Sequence, residues 1–351
     1  MMEALKRNIT VVKANNSAYG NFIFNEEKYF FKIVTIDNLL DEVNGYLEVN
    51  GKLNTKKLIK IFNWDDTYYY LIYEYDKTIS KDRGLINDVF TDYEYNNKTF
   101  DKNIFVNIIN LYRSNYRNLK LLDYSKNSIF FEQRIKTRLI DWYKDNKDFD
   151  KEVNINLEKA TTTRNIISET IDYFNHLDKK LCVLSGGDPN TFNLSVDGTF
   201  YDLSTAGYNN IYGELAITFI SYLIHDAYLS PKYNKNSYIN HDLIFKYRSK
   251  FKPKISFSND DKINIKSNIV TSSIRKKFIR DYLNMLIDER VPITDNIKYY
   301  LVMRILCVFN INKFNKQEYY YSLYLLHYIY NFIQEDALES LVKLLDQMDE
   351  I

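Results

Sequence analysis

Cysteine, proline and glycine are scarce in this chain. Its 351 residues hold two cysteines, four prolines and nine glycines, and neither sign of charge prevails, since 47 Lys and Arg stand against 46 Asp and Glu. Cys182 and Cys307 are too few and too far apart for a disulfide framework or a cysteine metal cluster, which fits a reducing compartment. A net charge of +1 gives no global drive toward nucleic acid or an anionic membrane. No apolar run approaches the length of a membrane span, and Met1 to Thr10 carries no apolar signal core. A cytoplasmic location without a membrane span is therefore expected. His176, His225, His241 and His327 share no metal-ligand spacing, and no Ser-His-Asp context, CxxC pair or dinucleotide fingerprint is present.

What is present suits a globular protein with ample core. Hydrophobic residues make up 45% and charged residues 26%, and the length favours two lobes over one. Tyrosine clusters such as Tyr68-Tyr69-Tyr70 and Tyr319-Tyr320-Tyr321 read as core and half-buried surface rather than as a base-stacking platform.

The first 75 or so positions alternate as strands do. Ile9-Thr10-Val11-Val12, Asn21-Phe22-Ile23-Phe24 and Lys28 to Val34 read as strands, with Asn25-Glu26-Glu27 as a turn. A helix from Ile36 to Val49 follows, with Leu39, Leu40, Val43 and Leu47 as its apolar positions, and Asn50-Gly51-Lys52 ends it. Two further strands, Lys57–Trp64 and Tyr68–Tyr75, flank Asp65-Asp66-Thr67. From Asp82 the pattern turns helical, with helices expected at 102–115, 128–146, 161–178, 213–227 and from 268 onward. Thr161-Thr162-Thr163 offers caps. Phe251 to Lys266, with Pro253 and a polar run, reads as a long loop or irregular insertion.

The helical part is interrupted by the most informative stretch, Gly186-Gly187-Asp188-Pro189-Asn190-Thr191-Phe192-Asn193 followed by Leu194 to Asp202. Asp197-Gly198 between β-prone runs signals a two-residue hairpin. That turn would pair Val196 with Thr199, Ser195 with Phe200, Leu194 with Tyr201 and Asn193 with Asp202. Opposed residues place their Cβ atoms about 4.5–5.5 Å apart, so Asn193 and Asp202 would be adjacent oxygen ligands, with Asp188 on the loop before them. A base beside a hard-metal oxygen pair is what phosphoryl transfer needs. Taken alone, Asp188-Pro189-Asn190 is a common turn, and Asn193 with Asp202 could be a cross-strand hydrogen-bonded pair. Their conjunction favours chemistry.

A five-strand lobe with one helix, then a helical lobe carrying Gly187-Asp188, Asn193 and Asp202, resembles the aminoglycoside phosphotransferase and choline kinase branch of the protein-kinase-like fold. The architecture matches from about residue 8 to about residue 230, and the specific motif lies between Val183 and Ala216. The resemblance implies an α+β fold with a small antiparallel-sheet lobe over 1–76, which binds nucleotide, and a helical lobe over 77–351, which holds the catalytic loop and acceptor site. It implies Asp188 as catalytic base and Asn193 and Asp202 as Mg2+ ligands. Lys32, a cation in the apolar run Tyr29 to Val34, would contact nucleotide phosphates and pair with Glu42. Asp41 is an alternative to Glu42, and Lys28, on the same strand face, is an alternative to Lys32. Ser17 belongs to the expected phosphate-covering loop, Asn15 to Asn21, where amides in a tight turn would face phosphate. Glu74 and Tyr75 lie in the expected adenine-binding hinge, Tyr73 to Asp76. Glu214, in Gly213-Glu214-Leu215-Ala216, corresponds to a structural acid.

The sequence also departs from that pattern. Gly186 stands where the family has a histidine, Asp202 precedes Leu203-Ser204, and the interval from Asn193 to Asp202 is short. The implied function is an ATP- or GTP- and Mg2+-dependent kinase acting on a hydroxyl of a small molecule, such as an aminoglycoside, an amino sugar or a choline-like metabolite. Asp226, Glu335 and Asp336 are available to a cationic acceptor. The alternative is a catalytically weak, kinase-like nucleotide-binding or scaffold protein. A protein kinase is disfavoured because no Ala-Pro-Glu type segment follows Asp202. Oligomeric state is left open.

Overall fold

The computed structural model describes residues 10–14, 17–79, 84–96, 98–155, 161–224, 254–257 and 262–350. Five strands and a helix open it: β1 Thr10–Ala14, β2 Ser17–Phe24, β3 Glu27–Thr35, α1 Ile36–Val49, β4 Leu58–Asn63 and β5 Tyr68–Glu74. They form one antiparallel sheet in the order β1-β2-β3-β5-β4. Period-2 alternation in β3 sorts its side chains onto two faces. Phe31 and Ile33 join Phe22, Tyr70 and Ile72 on one face, whereas Phe30 and Val34 pack with Leu39, Leu71 and Tyr73 beneath α1. Lys32 shares the α1 face by parity.

Two expectations in this lobe need correction. The turn before β2 is tighter than expected, since Ala14 pairs with Ser17. Ser17 to Asn21 are strand residues rather than a covering loop, and positions 15–16 lie outside the described residues. The buried stripe of α1 also differs, running through Leu39, Glu42, Tyr46 and Val49, while Leu40 and Leu47 are exposed. A carboxylate at a core position displaced the apolar pattern that the sequence suggested.

The remainder is mainly helical: α2 Ile86–Asn96, α3 Lys102–Tyr116, α4 Thr163–Asn175, α5 Ile211–Phe219, α6 Ser273–Asp288, α7 Ile297–Cys307, α8 Lys316–Phe332 and α9 Ala337–Gln347. Thr162 caps α4 through the Asn165 N–H at 3.0 Å. Asn315 and Glu318 close a reciprocal capping box on α8. Aromatic and aliphatic side chains from α2 to α9 form one large core, which also receives Tyr46, Val49 and Leu53 from the sheet lobe. Among the described residues no helix is long and apolar enough to cross a membrane.

The expected helix over 128–146 is not regular. It divides into a 3-10 turn, Lys126–Phe130, and a π-helical stretch, Ile135–Ile140, where the Asp141 N–H reaches back to the Lys136 carbonyl. The core residues Phe131, Leu139 and Tyr143, with Ile135, recur every four positions. The expected loop over 251–266 contains two paired strands, Lys254–Phe257 and Ile263–Lys266, the second of which lies parallel to Glu152–Ile155. Ile263 and Ile265 face the core, a two-residue alternation that the neighbouring Pro253 and Ser256-to-Asp261 run obscured.

Candidate active site

A strand of the helical lobe, Lys180–Ser185, delivers the Gly186-to-Asn193 loop, and its neighbour Gly207–Asn210 leads into α5. Within the loop the chain folds on its own polar groups. The Asn190 and Asn193 amides donate to Asp188 Oδ2 at 3.0 and 3.5 Å, and Asn193 Nδ2 also donates to the Asp188 carbonyl at 3.1 Å. Asn190 Oδ1 accepts from the Phe192 N–H, a local turn of the kind Asn favours. Asp188 and Asn193 are thus held against each other, with Asp188 half-buried.

The hairpin that follows is one residue longer than expected. Gly198 donates to the Ser195 carbonyl and Ser195 to the Thr199 carbonyl, both at 3.0 Å, and Gly198 adopts φ +82°. A type I turn closed by a left-handed glycine makes a three-residue loop with a bulge. Leu194 therefore pairs with Phe200, and the Tyr201 N–H donates to the Asn193 carbonyl at 2.9 Å. Asn193 faces Tyr201 rather than Asp202, which corrects the direct Asn193–Asp202 pairing. Asp202 itself turns out of the strand at φ 55°, ψ 69°.

That turn sends the Asp202 carboxylate toward the sheet lobe. Lys32 Nζ lies 2.6 Å from Asp202 Oδ1 and 2.7 Å from Glu42 Oε2. Glu42 is 3% exposed, and its other oxygen accepts from the Tyr73 hydroxyl and the Leu203 N–H, each at 3.2 Å. Burial disfavours the Lys32 ammonium, but the Glu42 and Asp202 carboxylates outweigh it and hold its pKa above the ordinary value. Burial and the Glu42 carboxylate likewise raise the Tyr73 phenol. Helix α1 can press this close because Gly45 has no side chain, since a Cβ there would meet the Leu203 carbonyl oxygen at 1.7 Å. Of the alternatives, Asp41 is exposed, and Lys28 donates to the Tyr75 hydroxyl at 2.9 Å.

The remaining expected residues are dispersed. Glu74 ends β5 exposed, with its N–H on the Lys57 carbonyl at 3.0 Å, and Tyr75 holds Lys28 over its ring. Ser17 stands at the β1–β2 tip. Asp336 caps α9 and Glu335 is exposed beside it, while Asp226, His225 and His241 lie outside the described residues. His327 is fully buried against the Thr163 hydroxyl at 2.8 Å, and burial pushes its pKa down to about 3.

Two neighbours carry more than their sequence context suggested. Asp76, 5% exposed, accepts from the Tyr201 hydroxyl and the Thr78 N–H and pairs with Lys56 at 3.0 Å. Burial works against its charge, but these donors hold its carboxyl below the usual range. It ties the end of β5 to the residue preceding Asp202, whereas the sequence placed it only at the end of the expected hinge, Tyr73 to Asp76. Glu214, 2% exposed in the first turn of α5, has one oxygen without a hydrogen-bond partner. Burial, with the Asp188 charge nearby, pushes it up to about 8 despite a bond from Ser185.

Asp202 and Asn193 each carry a side-chain oxygen of the kind Mg2+ takes. Among the described residues no three His, Cys, Asp or Glu side chains converge as a closed metal site. Mg2+ does not need one, because it typically takes one or two protein oxygens together with phosphate and water. Asp202 offers a carboxylate that is 47% exposed. The Asn193 amide nitrogen is engaged by Asp188, which leaves its oxygen turned to the other side.

No protein-family model matches the chain, and no curated protein does. Among solved structures, the chain is similar to the aminoglycoside phosphotransferase APH(4)-Ia, at 10% identity and a TM-score of 0.46 over 93% of each chain. It is also similar to the GDP complex of aminoglycoside 2'-phosphotransferase-IIIa, at 10% identity and TM-score 0.46, covering 93% of this chain and 95% of that one. A microcompartment-associated aminopropanol kinase aligns over 98% of this chain and 92% of its own, at 9% identity and TM-score 0.42. On its own geometry, with a five-stranded antiparallel sheet and one helix joined to a helical lobe through Lys32, Glu42 and Asp202, the chain has an α+β fold.

Proposed function

We propose that the chain is a nucleotide- and Mg2+-dependent phosphotransferase that acts on a hydroxyl group of a small molecule. The observation that carries this reading is the placement of Lys32 between Glu42 and Asp202, across from a loop that holds Asp188 against Asn193. In this reading residues 1–76 bind ATP or GTP, with Lys32 at the phosphates, Ser17 at the β1–β2 tip, and Glu74 and Tyr75 at the adenine-binding hinge. Residues 77–351 supply the catalytic loop and the acceptor site.

Asp188 accepts the acceptor hydroxyl's proton as its oxygen bonds to the γ-phosphorus. The bond from that phosphorus to the bridging oxygen breaks, and a nucleoside diphosphate leaves. Asn193 and Asp202 would hold Mg2+, which when bound neutralises phosphate charge. Glu42, itself bonded by Tyr73 and Leu203, fixes the position of Lys32.

Nucleotide turnover against a panel of hydroxyl compounds, with Asp188→Asn as control, tests the reading. Acceptor-dependent turnover that the substitution lowers by at least about a hundredfold supports it, in line with the usual contribution of a general base. Turnover that Asp188→Asn leaves intact contradicts it. A nucleotide-binding scaffold is the second reading, favoured by the hairpin register that takes Asp202 away from the position opposite Asn193. Nucleotide binding with no turnover of any acceptor would select it.

A further inference from the structure

The π-helical stretch and the end of α7 bring basic side chains together. Arg134 lays its guanidinium over the Phe130 ring, with Cζ 5.0 Å from the centroid. Four residues on, Arg138 stacks over Trp142 at 5.1 Å and donates Nη1–H to the Cys307 carbonyl at 2.7 Å. Arg304, on the last turn of α7, is 6% exposed. Arg138 thus touches the Cys307 end of α7, and all three guanidiniums lie within electrostatic reach of the buried Cys307 thiol.

Such a cluster is costly to assemble. Burial first, then the charges of Arg138 and Arg304, push Arg134 down to about 10, although guanidinium normally stays charged well above that pH. The carboxylate that acts on Arg134 in the opposite sense is Asp188. Among the described residues neither Arg134 nor Arg138 makes an ion pair with a carboxylate, and burial pushes Arg138 down as well. One guanidinium over an aromatic ring is ordinary surface packing, and Arg138 also serves the carbonyl end of α7. Arg134 and Arg138 one turn apart, neither of them ion-paired among the described residues, with Asp188 within electrostatic reach of Arg134, exceed what either role requires. Like charges gathered in a partly buried place are stabilised when an anion joins them.

We propose that the acceptor is an anionic hydroxyl compound whose carboxylate or phosphate group is bound by Arg134 and Arg138, with Arg304 adding charge, while its hydroxyl faces Asp188. This rests on the phosphotransfer reading and narrows it. A cationic acceptor would meet the guanidiniums, and of the acids that might have received it Glu335 and Asp336 are exposed around the α9 cap.

Calorimetric binding to the whole chain, followed by turnover, tests the proposal with three sets of probes: hydroxy carboxylates and sugar acids, sugar phosphates, and aminoglycosides with amino alcohols. At least one anionic probe should bind and be phosphorylated in preference to the cationic set. Arg134→Gln and Arg138→Gln should each weaken that probe at least about tenfold, the scale of a lost charge-assisted hydrogen bond. The first two sets distinguish a carboxylate from a phosphate. Preference for cationic probes, failure of every anionic probe to bind, or unchanged anion binding in both variants would overturn the proposal. Nucleotide binding by the unsubstituted chain separates the two readings: nucleotide bound alongside a preference for cations overturns the anion inference alone. With no nucleotide bound, phosphotransfer fails, while anion binding still decides the arginine site.

Discussion

Lys32 Nζ and Asp202 Oδ1 lie 2.6 Å apart although 170 positions separate them in the chain. The contact joins the central strand of the sheet to the left-handed turn that follows the Asn193-to-Tyr201 hairpin. Glu42 shares the same ammonium, so two carboxylates from different elements depend on one cation.

Removing that cation should affect stability and binding separately. Lys32→Met leaves Glu42 buried and unpaired, at a cost of about 3 kcal/mol or somewhat more. Adding Glu42→Leu should recover much of the loss, because an apolar pair of similar size avoids the buried charge. Nucleotide binding should not recover in the double variant. Urea unfolding alongside nucleotide titration checks both, and binding restored with stability would assign Lys32 a structural role only.

Tyr201, the residue before Asp202, is held by its hydroxyl bond to Asp76. Tyr201→Phe should cost about 1–2 kcal/mol at neutral pH, as expected for a buried carboxylate that loses a donor. Asp76 has a lowered pKa in the fold, so its contribution is present above the unfolded carboxyl pKa and is lost as pH falls. The difference between Tyr201→Phe and the parent should therefore shrink toward acid pH, as read by unfolding between neutral pH and pH 3.

The fold was legible where periodicity was clean, and the candidate site where a charge broke that periodicity. Lys32 between Phe31 and Ile33, and Asp188, Asn193 and Asp202 around Asp197-Gly198, all stood out in the sequence. The sheet, α1 and the placement of Lys32 against Glu42 agree with that reading. The hairpin register did not follow from the sequence, because Asp-Gly closes a two-residue turn or, with Gly198 left-handed after a type I turn, a three-residue one. A one-residue difference moved Asp202 from the strand to the turn that reaches Lys32. The tie to Tyr201 from Asp76, which was expected only as part of the hinge, and the arginines near Cys307 were missed for another reason: each draws its significance from partners far away in sequence, such as Tyr201 and Asp188.

Glu214 should govern part of the pH dependence of stability. Its pKa is raised by burial from 4.5 to about 8 in the fold. Its contribution is thus full below the unfolded pKa and declines as pH rises through the folded one. Glu214→Gln, which keeps the shape and removes the ionisation, should be insensitive to this group from about pH 4.5 to 8 and should exceed the parent in stability at pH 8. Parallel unfolding curves for parent and variant across that range would refute the assignment.

Thermal unfolding with nucleotide, in the presence and absence of Mg2+, tests the central claim most directly. Nucleotide should raise the midpoint only with Mg2+, by the equivalent of about 2.7 kcal/mol at a concentration one hundred times Kd. Asp202→Ala should abolish the metal dependence. Nucleotide stabilisation that stays equally Mg2+-dependent in Asp202→Ala would contradict the placement of the metal, and no stabilisation of the parent chain by Mg2+ with either ATP or GTP would contradict the function.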